Sequence, residues 1–226
     1  MKEGRDFSII NKINGHFDDL INDLSSINTF DCFVESKEKR RAILFDFLQI
    51  GELTNQLSKK FLKNFNNINT NRLISIRNRI VHGYSTVRDD VIYDTLKNDF
   101  PLFIKELNEF ARIYYSKIVH GFIGKEVKVI IDRPIGYHHK GLVYPINYGY
   151  IEELTALDGE FQDAYLLDEN ESVTKSHGTV IAIVHRYDDV EDKLVVSMNQ
   201  TKRRIEDIEK IVSFQEQFYK HDIIIK

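Results

Sequence analysis

The chain has 226 residues, enough for one large domain or two small ones. Its composition, 42% hydrophobic and 29% charged, is ordinary for a globular protein, and a formal net charge of −4 excludes a broadly basic surface for nucleic acid. Cys32 is the single cysteine, which excludes an intrachain disulfide, and no apolar run approaches the roughly 18 residues that a membrane helix needs. These features predict a cytoplasmic protein with no membrane partner.

Apolar residues recur at helical spacing through about the first 120 residues. The recurring positions include Ile10, Ile13, Phe17, Leu20, Ile43, Phe47, Ile50, Phe103, Leu107 and Phe110. We expect Asp89 or Asp90 to cap one helix and Pro101 to open the next, because a proline needs no N–H partner in a first turn. The pattern predicts an all-α domain over residues 1–120, a bundle of four or five helices.

The sequence pattern changes near residues 120–124, where helical spacing gives way to strand-like alternation and glycine-rich turns. The strand-like segments are residues 127–131, 180–184 and 194–196. A final helical stretch is expected from about Lys202 to Lys220. The second domain is therefore placed at residues 121–226, and the fold class of the whole chain is multidomain α plus β.

Residues 76–84 hold the groups that could carry chemistry in the helical half. Asn78 and His82 are four residues apart and share a helix face, and Gly83 is a natural helix end. The helix dipole favours the protonated form of a histidine at this end. Arg77 holding a phosphate beside such a histidine suffices to cleave RNA without a metal, with the ribose 2′-hydroxyl as nucleophile. On spacing alone, packing or solvation is the alternative role for Arg77 and His82.

Residues from Arg77 to Tyr84 fit the Arg-x4-His-x-Tyr motif of HEPN ribonucleases. The flanking segments 48–53 and 96–101 resemble the HepT-like toxin group in particular. The resemblance covers roughly residues 5–118, nearly the whole helical half.

This resemblance implies a toxin ribonuclease that acts on RNA at a dimer interface where the motifs of two protomers meet. Arg77 and His82 would be catalytic and Asn78 would support them. A partner nucleotidyltransferase would silence the enzyme by attaching AMP to Tyr84. A binding module with little nuclease activity is the alternative.

Carboxylates gather in two segments of the second half, residues 158–163 and 188–193. Carboxylates that converge on one cleft repel each other unless cations neutralise them, and oxygen ligands suit Mg²⁺. Bound Mg²⁺ can shield a polyphosphate and activate a water molecule. The candidate metal ligands are Asp158, Glu160, Asp163, Asp188, Asp189 and Glu191. Two solvated acidic turns are the alternative interpretation.

Residues 143–151, followed by the acidic segment 158–163, resemble the strand and the metal loop of soluble family I inorganic pyrophosphatases. The resemblance covers about residues 124–222. It implies an OB-like five-stranded β-barrel with a terminal helix, Mg²⁺ as cofactor, and pyrophosphate or a nucleotide-like small molecule as substrate. The substrate-binding residues that it implies are Lys128, Arg133, Tyr148, Lys193, Tyr219 and Lys220.

The sequence departs from the pyrophosphatase pattern at several positions. Glu160 and Phe161 replace an aspartate and a proline of the metal loop, and an N-terminal glutamate of the family has no clear counterpart. The arginine before the Tyr-Pro strand is missing unless Lys140 or Arg133 substitutes for it. His138, His139 and His185 either support the site or are solvated loop histidines. A pocket altered in this way could prefer a nucleotide or an AMP adduct over pyrophosphate.

Three hypotheses follow from these patterns. The first is a Mg²⁺-dependent phosphoanhydride hydrolase fused to a HEPN ribonuclease, acting in a toxin–antitoxin or defence system. The second is a HEPN ribonuclease toxin that is gated by a barrel domain which senses a phosphorylated ligand without hydrolysing it. The third is an interaction scaffold. All three predict a homodimer or a higher homo-oligomer.

Overall fold

The computed structural model describes residues 3–65, 78, 88–199 and 203–225. The chain divides into two compact units, Lys2–Arg112 and Ile113–Lys226. The domain limits predicted from the sequence, 1–120 and 121–226, stay a prediction.

The first unit is helical, as predicted. Its α-helices are α1 (Glu3–Ser25), α2 (Phe30–Glu35), α3 (Lys37–Gln56), α4 (Lys59–Asn64), α5 (Asp89–Asp94) and the greater part of α6 (Phe100–His120). The described residues thus hold more helices than the four or five expected, because α2, α4 and α5 are too short to leave a periodic pattern. Core residues include the predicted stripe positions Ile10, Ile13, Leu20, Ile43, Phe47 and Ile50. None of the helices in the described ranges is long and apolar enough to cross a bilayer.

Helix α5 begins without the aspartate cap that the sequence suggested. Its N-cap residue is Arg88, which makes no side-chain capping bond, and both Asp89 and Asp90 lie in the first helical turn. Asp90 Oδ1 accepts the backbone N–H of Val91 at 3.0 Å. Negative charge in a first turn is favourable because the helix dipole is positive there, so the aspartates stabilise this helix end from inside it.

Pro101 lies in the first turn of α6, the position in which a proline needs no N–H partner. A π-helical stretch, Thr95–Asp99, joins α5 to α6, and Pro101 is the second residue of α6. The backbone N–H of Phe100 bonds to the carbonyl of Thr95, five residues back. A widened turn directly before a proline accommodates the missing N–H and keeps the ring from the preceding carbonyls. The predicted place of Pro101 is confirmed, but the π-helical stretch connects the two helices without a break.

The second unit is a closed barrel with a helix packed on it. The strands are β1 (Glu126–Arg133), β2 (His138–His139), β3 (Leu142–Val143), β4 (Asn147–Thr155), β5 (Phe161–Leu167), β6 (Lys175–Arg186), β7 (Lys193–Ser197) and β8 (His221–Ile225). The order β1-β4-β5-β7-β6 closes because β1 also pairs with β6. Only β5 and β7 run parallel among the paired strands. The predicted five-stranded barrel is confirmed.

The end of the chain differs from its prediction. The terminal helix, α7 (Ile205–Glu216), is shorter than the expected 202–220, and β8 follows it and pairs with β6. The run Ile223–Ile225 is β-branched, which favours a strand. Ile223 pairs with Val184 and is buried, so the strand extends the sheet beyond the closed barrel.

A second core lies between the strands and α7. Its members include Tyr144, Tyr148, Tyr165, Val195, Ile208 and Val212. Asp163 is two residues before Tyr165 on β5, and Lys193 is two residues before Val195 on β7. Because side chains alternate along a strand, both charged groups emerge on the same face as this core, at its edge.

Candidate functional site

A cavity of about 430 Å³ lies beside the β2–β3 hairpin and the end of α7. The predicted residues that line it are Arg133, Tyr148, Asp163, Asp189, Lys193 and Tyr219. His139, Lys140 and Arg186 also line it. The structure therefore brings together residues of both acidic segments and most of the predicted substrate-binding residues.

Lys193 lies between two carboxylates. Its Nζ donates a hydrogen bond to Asp163 Oδ2 at 2.7 Å and another to Glu191 Oε2. The hydroxyl of Tyr148 donates to the same oxygen of Asp163 at 2.6 Å, and the backbone N–H of Asp163 donates to Glu191 Oε1 at 3.2 Å. The Lys193 side chain is only 4% exposed, so the ammonium is held almost wholly by these partners.

Burial and neighbouring charge shift the pKa values of this group. Burial raises the pKa of Glu191 to about 7, with the negative charges of Asp163 and Asp158 acting in the same direction against the ammonium of Lys193. Burial alone would lower the pKa of Lys193, but Asp163 and Glu191 outweigh it, and the pKa is raised. Burial, and then Asp163, raise the pKa of Tyr148 well above its ordinary value. The lysine is therefore firmly cationic and the tyrosine a firm hydrogen-bond donor.

A second charged cluster surrounds Arg186, which also lines the cavity. Its Nε and Nη2 donate to the two oxygens of Glu216 at 2.8 and 2.7 Å, and Nη1 donates to Asp189 Oδ2 at 2.8 Å. The guanidinium carbon lies 3.7 Å from the ring centroid of Tyr219. Burial would raise the pKa of Asp189, but the bonds to Arg186 and the Val190 N–H and the nearby positive charges together outweigh it, so the pKa is lowered and Asp189 stays ionised. Arg186 thus fixes both Asp189 and Tyr219 in place.

The sequence did not single out Arg186 or Glu216. Arg186 ends the long strand β6 and Glu216 ends α7, thirty residues later. In the sequence, neither residue can be told apart from a solvent-exposed charge at the end of a strand or helix. Only the packing of α7 on the sheet makes them partners.

Arg133 is held differently from the other cations of the pocket. Its Nη1 donates to the hydroxyl of Tyr144 at 2.7 Å, and its guanidinium carbon lies 5.2 Å from the ring centroid of Tyr148. In the part of the chain that the structure describes, no carboxylate forms a salt bridge with Arg133. An arginine oriented by aromatic groups keeps N–H donors and charge for a ligand.

The β2–β3 hairpin adds a lysine to the pocket. Lys140 and Gly141 form its turn with φ values of 48° and 80°, the backbone that a tight two-residue hairpin requires. His139 precedes the turn and also lines the cavity. The sequence suggested Lys140 and Arg133 as the two possible substitutes for a missing arginine. Both of them line this cavity.

Several predicted residues lie outside the cavity lining. Asp158 Oδ1 accepts the backbone N–H of Glu160 at 2.9 Å in the turn between β4 and β5. The carboxylate of Asp188 accepts the backbone N–H of Lys220 at 3.0 and 3.1 Å. Lys128 lies in the middle of β1, paired with His177 of β6. These contacts give Asp158 and Asp188 a role in shaping turns.

The described residues do not fit a resident magnesium ion. Across residues 3–65, 78, 88–199 and 203–225, no three histidine, cysteine, aspartate or glutamate side chains are arranged to hold a metal. Asp163 and Glu191 share the ammonium of Lys193, and Asp189 is bonded to Arg186. Tethered cations thus already neutralise three of the six carboxylates that were expected to bind Mg²⁺, namely Asp163, Asp189 and Glu191.

Of the predicted catalytic residues in the helical half, Arg77, His82 and Tyr84 lie outside the described residues. Asn78 is helical and exposed. Their predicted roles stay predictions.

A family model described as Ribonuclease HepT-like matches residues 17–110. A curated protein of Methanocaldococcus jannaschii, whose name gives it as a candidate RNase, is 27% identical over 94 residues, 42% of this chain and 74% of that protein. The resemblance of the helical half to HepT-like ribonucleases is confirmed.

Solved structures similar to the C-terminal part are inorganic pyrophosphatases. That of Ehrlichia chaffeensis has 16% identity and a TM-score of 0.39, covering 46% of this chain and 87% of that one. That of Coxiella burnetii has 14% identity and a TM-score of 0.35, covering 46% of this chain and 86% of that one. Structural similarity at these TM-scores does not assign an activity to this chain. The barrel fold is established by the pairing of its strands.

Proposed function

We propose that this protein is a metal-independent ribonuclease of the HepT-like kind whose barrel domain binds a phosphorylated small molecule and controls RNA cleavage. The ribonuclease part is supported by the family match over residues 17–110. The observation that carries the binding part is Arg133, a guanidinium at the cavity held by Tyr144 and Tyr148.

In the helical domain, Arg77 holds the scissile phosphate and stabilises the charge that develops on it. His82 accepts the proton that the 2′-hydroxyl loses and donates a proton to the leaving oxygen. Asn78 supports His82. Two protomers bring these motifs together, so the active species is a homodimer or a larger homo-oligomer. Tyr84 is the residue that a nucleotidyltransferase partner would modify with AMP.

In the barrel domain, the pocket suits pyrophosphate or the phosphate end of a nucleotide. Guanidinium groups bind phosphate oxygens through pairs of parallel hydrogen bonds, and Arg133 provides one such fork. Lys140 and Lys193 line the same cavity and supply further N–H donors. Its volume of about 430 Å³ falls within the range of small-molecule sites, about 300–1,000 Å³.

The proposed control is tested by an RNA-cleavage assay on the full chain, with pyrophosphate, ADP or ATP added in turn. We expect His82→Ala to abolish cleavage, one of the ligands to change the wild-type rate, and Arg133→Gln to remove that response while leaving cleavage intact. Lys210→Gln is the matched control, since Lys210 is an exposed lysine of α7 outside the cavity, and it should behave as wild type. Cleavage that is indifferent to every ligand would overturn the regulatory role.

The same samples test the hydrolase hypothesis. Asp163 lines the cavity with a side chain 29% exposed, which is the observation in its favour. Phosphate release from pyrophosphate that needs Mg²⁺ and is lost in Asp163→Asn would replace the binding role with a phosphoanhydride hydrolase.

A further inference from the structure

We propose that the barrel pocket binds the metal-free anion of its ligand, because Lys193 takes the position among the carboxylates that a divalent cation would need. This inference rests on the proposed function of the pocket as a phosphate site. It departs from the Mg²⁺ dependence that the pyrophosphatase resemblance implies.

The arrangement around Lys193 is that of a neutralised acidic site. The ammonium bonds to both Asp163 and Glu191, and the charge of Asp158 is near enough to affect Glu191. A divalent ion placed here would have to displace the ammonium of Lys193. That group is tethered to β7, and its side chain is only 4% exposed. The ammonium has three N–H donors, and its two carboxylate bonds leave one for a ligand in the cavity.

The carboxylates of the second cluster are engaged in the same way. Arg186 binds Glu216 through two hydrogen bonds and Asp189 through a third. Its side chain is 2% exposed, and the ring of Tyr219 covers one face. Breaking such a buried ion pair leaves an uncompensated charge, so a metal ion gains no ligand here without a large cost.

The cations that remain for a ligand are therefore Arg133 and Lys140, with the third N–H of Lys193. These groups recognise negative charge on phosphate oxygens. A Mg²⁺–pyrophosphate complex carries two fewer negative charges than pyrophosphate, and its ion would face the guanidinium and ammonium groups. The metal-free anion is the form that this set of charges prefers.

The test is isothermal titration calorimetry of pyrophosphate, and separately of ADP, into the full chain in EDTA and in saturating Mg²⁺. We expect binding in EDTA and a loss of affinity of about tenfold or more in Mg²⁺, a difference of about 1.4 kcal/mol. Binding that requires Mg²⁺, or that is tighter with it, would overturn this inference and leave the pocket as a phosphate site. Binding of neither ligand under either condition would overturn the proposed function of the pocket itself.

A lysine variant provides a second test of the same inference. Lys193→Met removes the tethered cation and leaves Asp163 and Glu191 to be neutralised by solution ions. We expect it to lose binding in EDTA and to gain affinity for Mn²⁺ used as a probe. Lys193→Arg keeps the positive charge and should retain metal-free binding, while Lys210→Met, at an exposed position of α7 outside the cavity, should match wild type. The wild-type comparison decides the question even if Lys193→Met does not fold.

Discussion

The guanidinium of Arg186 binds the carboxylate of Glu216 through two hydrogen bonds, with side chains that are 2% and 0% exposed. The hydroxyl of Tyr165 donates to the same carboxylate, and burial raises the pKa of that tyrosine well above its ordinary value. This group connects the end of β6 to the end of α7 and sets the position of the pocket between them.

Removing one partner of this ion pair should destabilise the barrel. We expect Glu216→Gln to lower its free energy of unfolding by about 3–5 kcal/mol, because Arg186 would be left buried with half its charge compensation gone. The double variant Arg186→Met, Glu216→Leu should recover most of the loss. Urea unfolding followed by circular dichroism measures both.

The exposed pair Arg204–Asp207 is the matched control, since its side chains are 78% and 46% exposed. Arg204→Ala should leave the unfolding midpoint unchanged because water screens exposed pairs. A similar loss in both variants would mean that the buried pair has no special structural role.

Gly149 cannot carry a side chain. A Cβ built on it would lie 1.8 Å from the carbonyl oxygen of Ile130 on the neighbouring strand, and backbone cannot move aside as a flexible side chain can. We expect Gly149→Ala to destabilise the barrel by roughly 1–3 kcal/mol or more. In contrast, Gly15→Ala in α1 meets nothing within 4 Å and should stabilise the helical unit by about 0.5–1 kcal/mol. Thermal melts of both variants check the opposite signs.

His221 makes the attachment of β8 depend on pH. Its Nε2 lies 2.9 Å from Glu209 Oε2 and its Nδ1 lies 3.0 Å from the carbonyl of Tyr219. Burial would lower the pKa of His221, but its bonds to the Tyr219 carbonyl and Glu209 outweigh it, so the pKa is raised above 6.5. The stabilisation is therefore complete below pH 6.5 and is lost as the pH rises through the raised pKa.

We expect the melting temperature of the wild-type barrel to fall as the pH rises from 6.5 through the raised pKa of His221. The melting temperature of His221→Gln should show no such fall. A His221→Gln variant that keeps the full wild-type pH dependence would assign the effect to another group.

RNA cleavage should depend on assembly and not on metal. If the motifs of two protomers act together, as proposed, diluting the protein below its dimer dissociation constant should abolish cleavage. EDTA should leave the cleavage rate unchanged, since the chemistry proposed for Arg77 and His82 uses no metal ion. Light scattering and a cleavage assay on the same dilution series test this, and an active monomer would contradict it.

The barrel was predicted from the resemblance to pyrophosphatases, whereas the local pattern predicted only separate strand-like segments. Val127 and Val129 are buried on one side of β1, as their alternation indicated. Lys193 was predicted to bind the substrate, but its bonds to Asp163 and Glu191 were not predicted. Asp163 is thirty residues away along the chain, and only the fold brings it to Lys193. A sequence lists carboxylates without saying which cation neutralises them, and so the same residues predicted a magnesium site.

The shape of the chain end and of the α5–α6 junction could not be predicted for a related reason. Whether Ile223–Ile225 continue a helix or form a strand depends on the free edge of β6. Whether the helix of Pro101 is continuous with the helix before it depends on the π-helical turn between them. Both are set by the packing of neighbouring elements.

The most direct test of a metal-free phosphate pocket is a crystal structure of the full chain with pyrophosphate and Mn²⁺, using the anomalous scattering of manganese to locate the ion. We predict phosphate density beside Arg133 and the ammonium of Lys193, with no anomalous peak between Asp163 and Glu191. A manganese peak between those two carboxylates, with Lys193 turned away, would contradict this account.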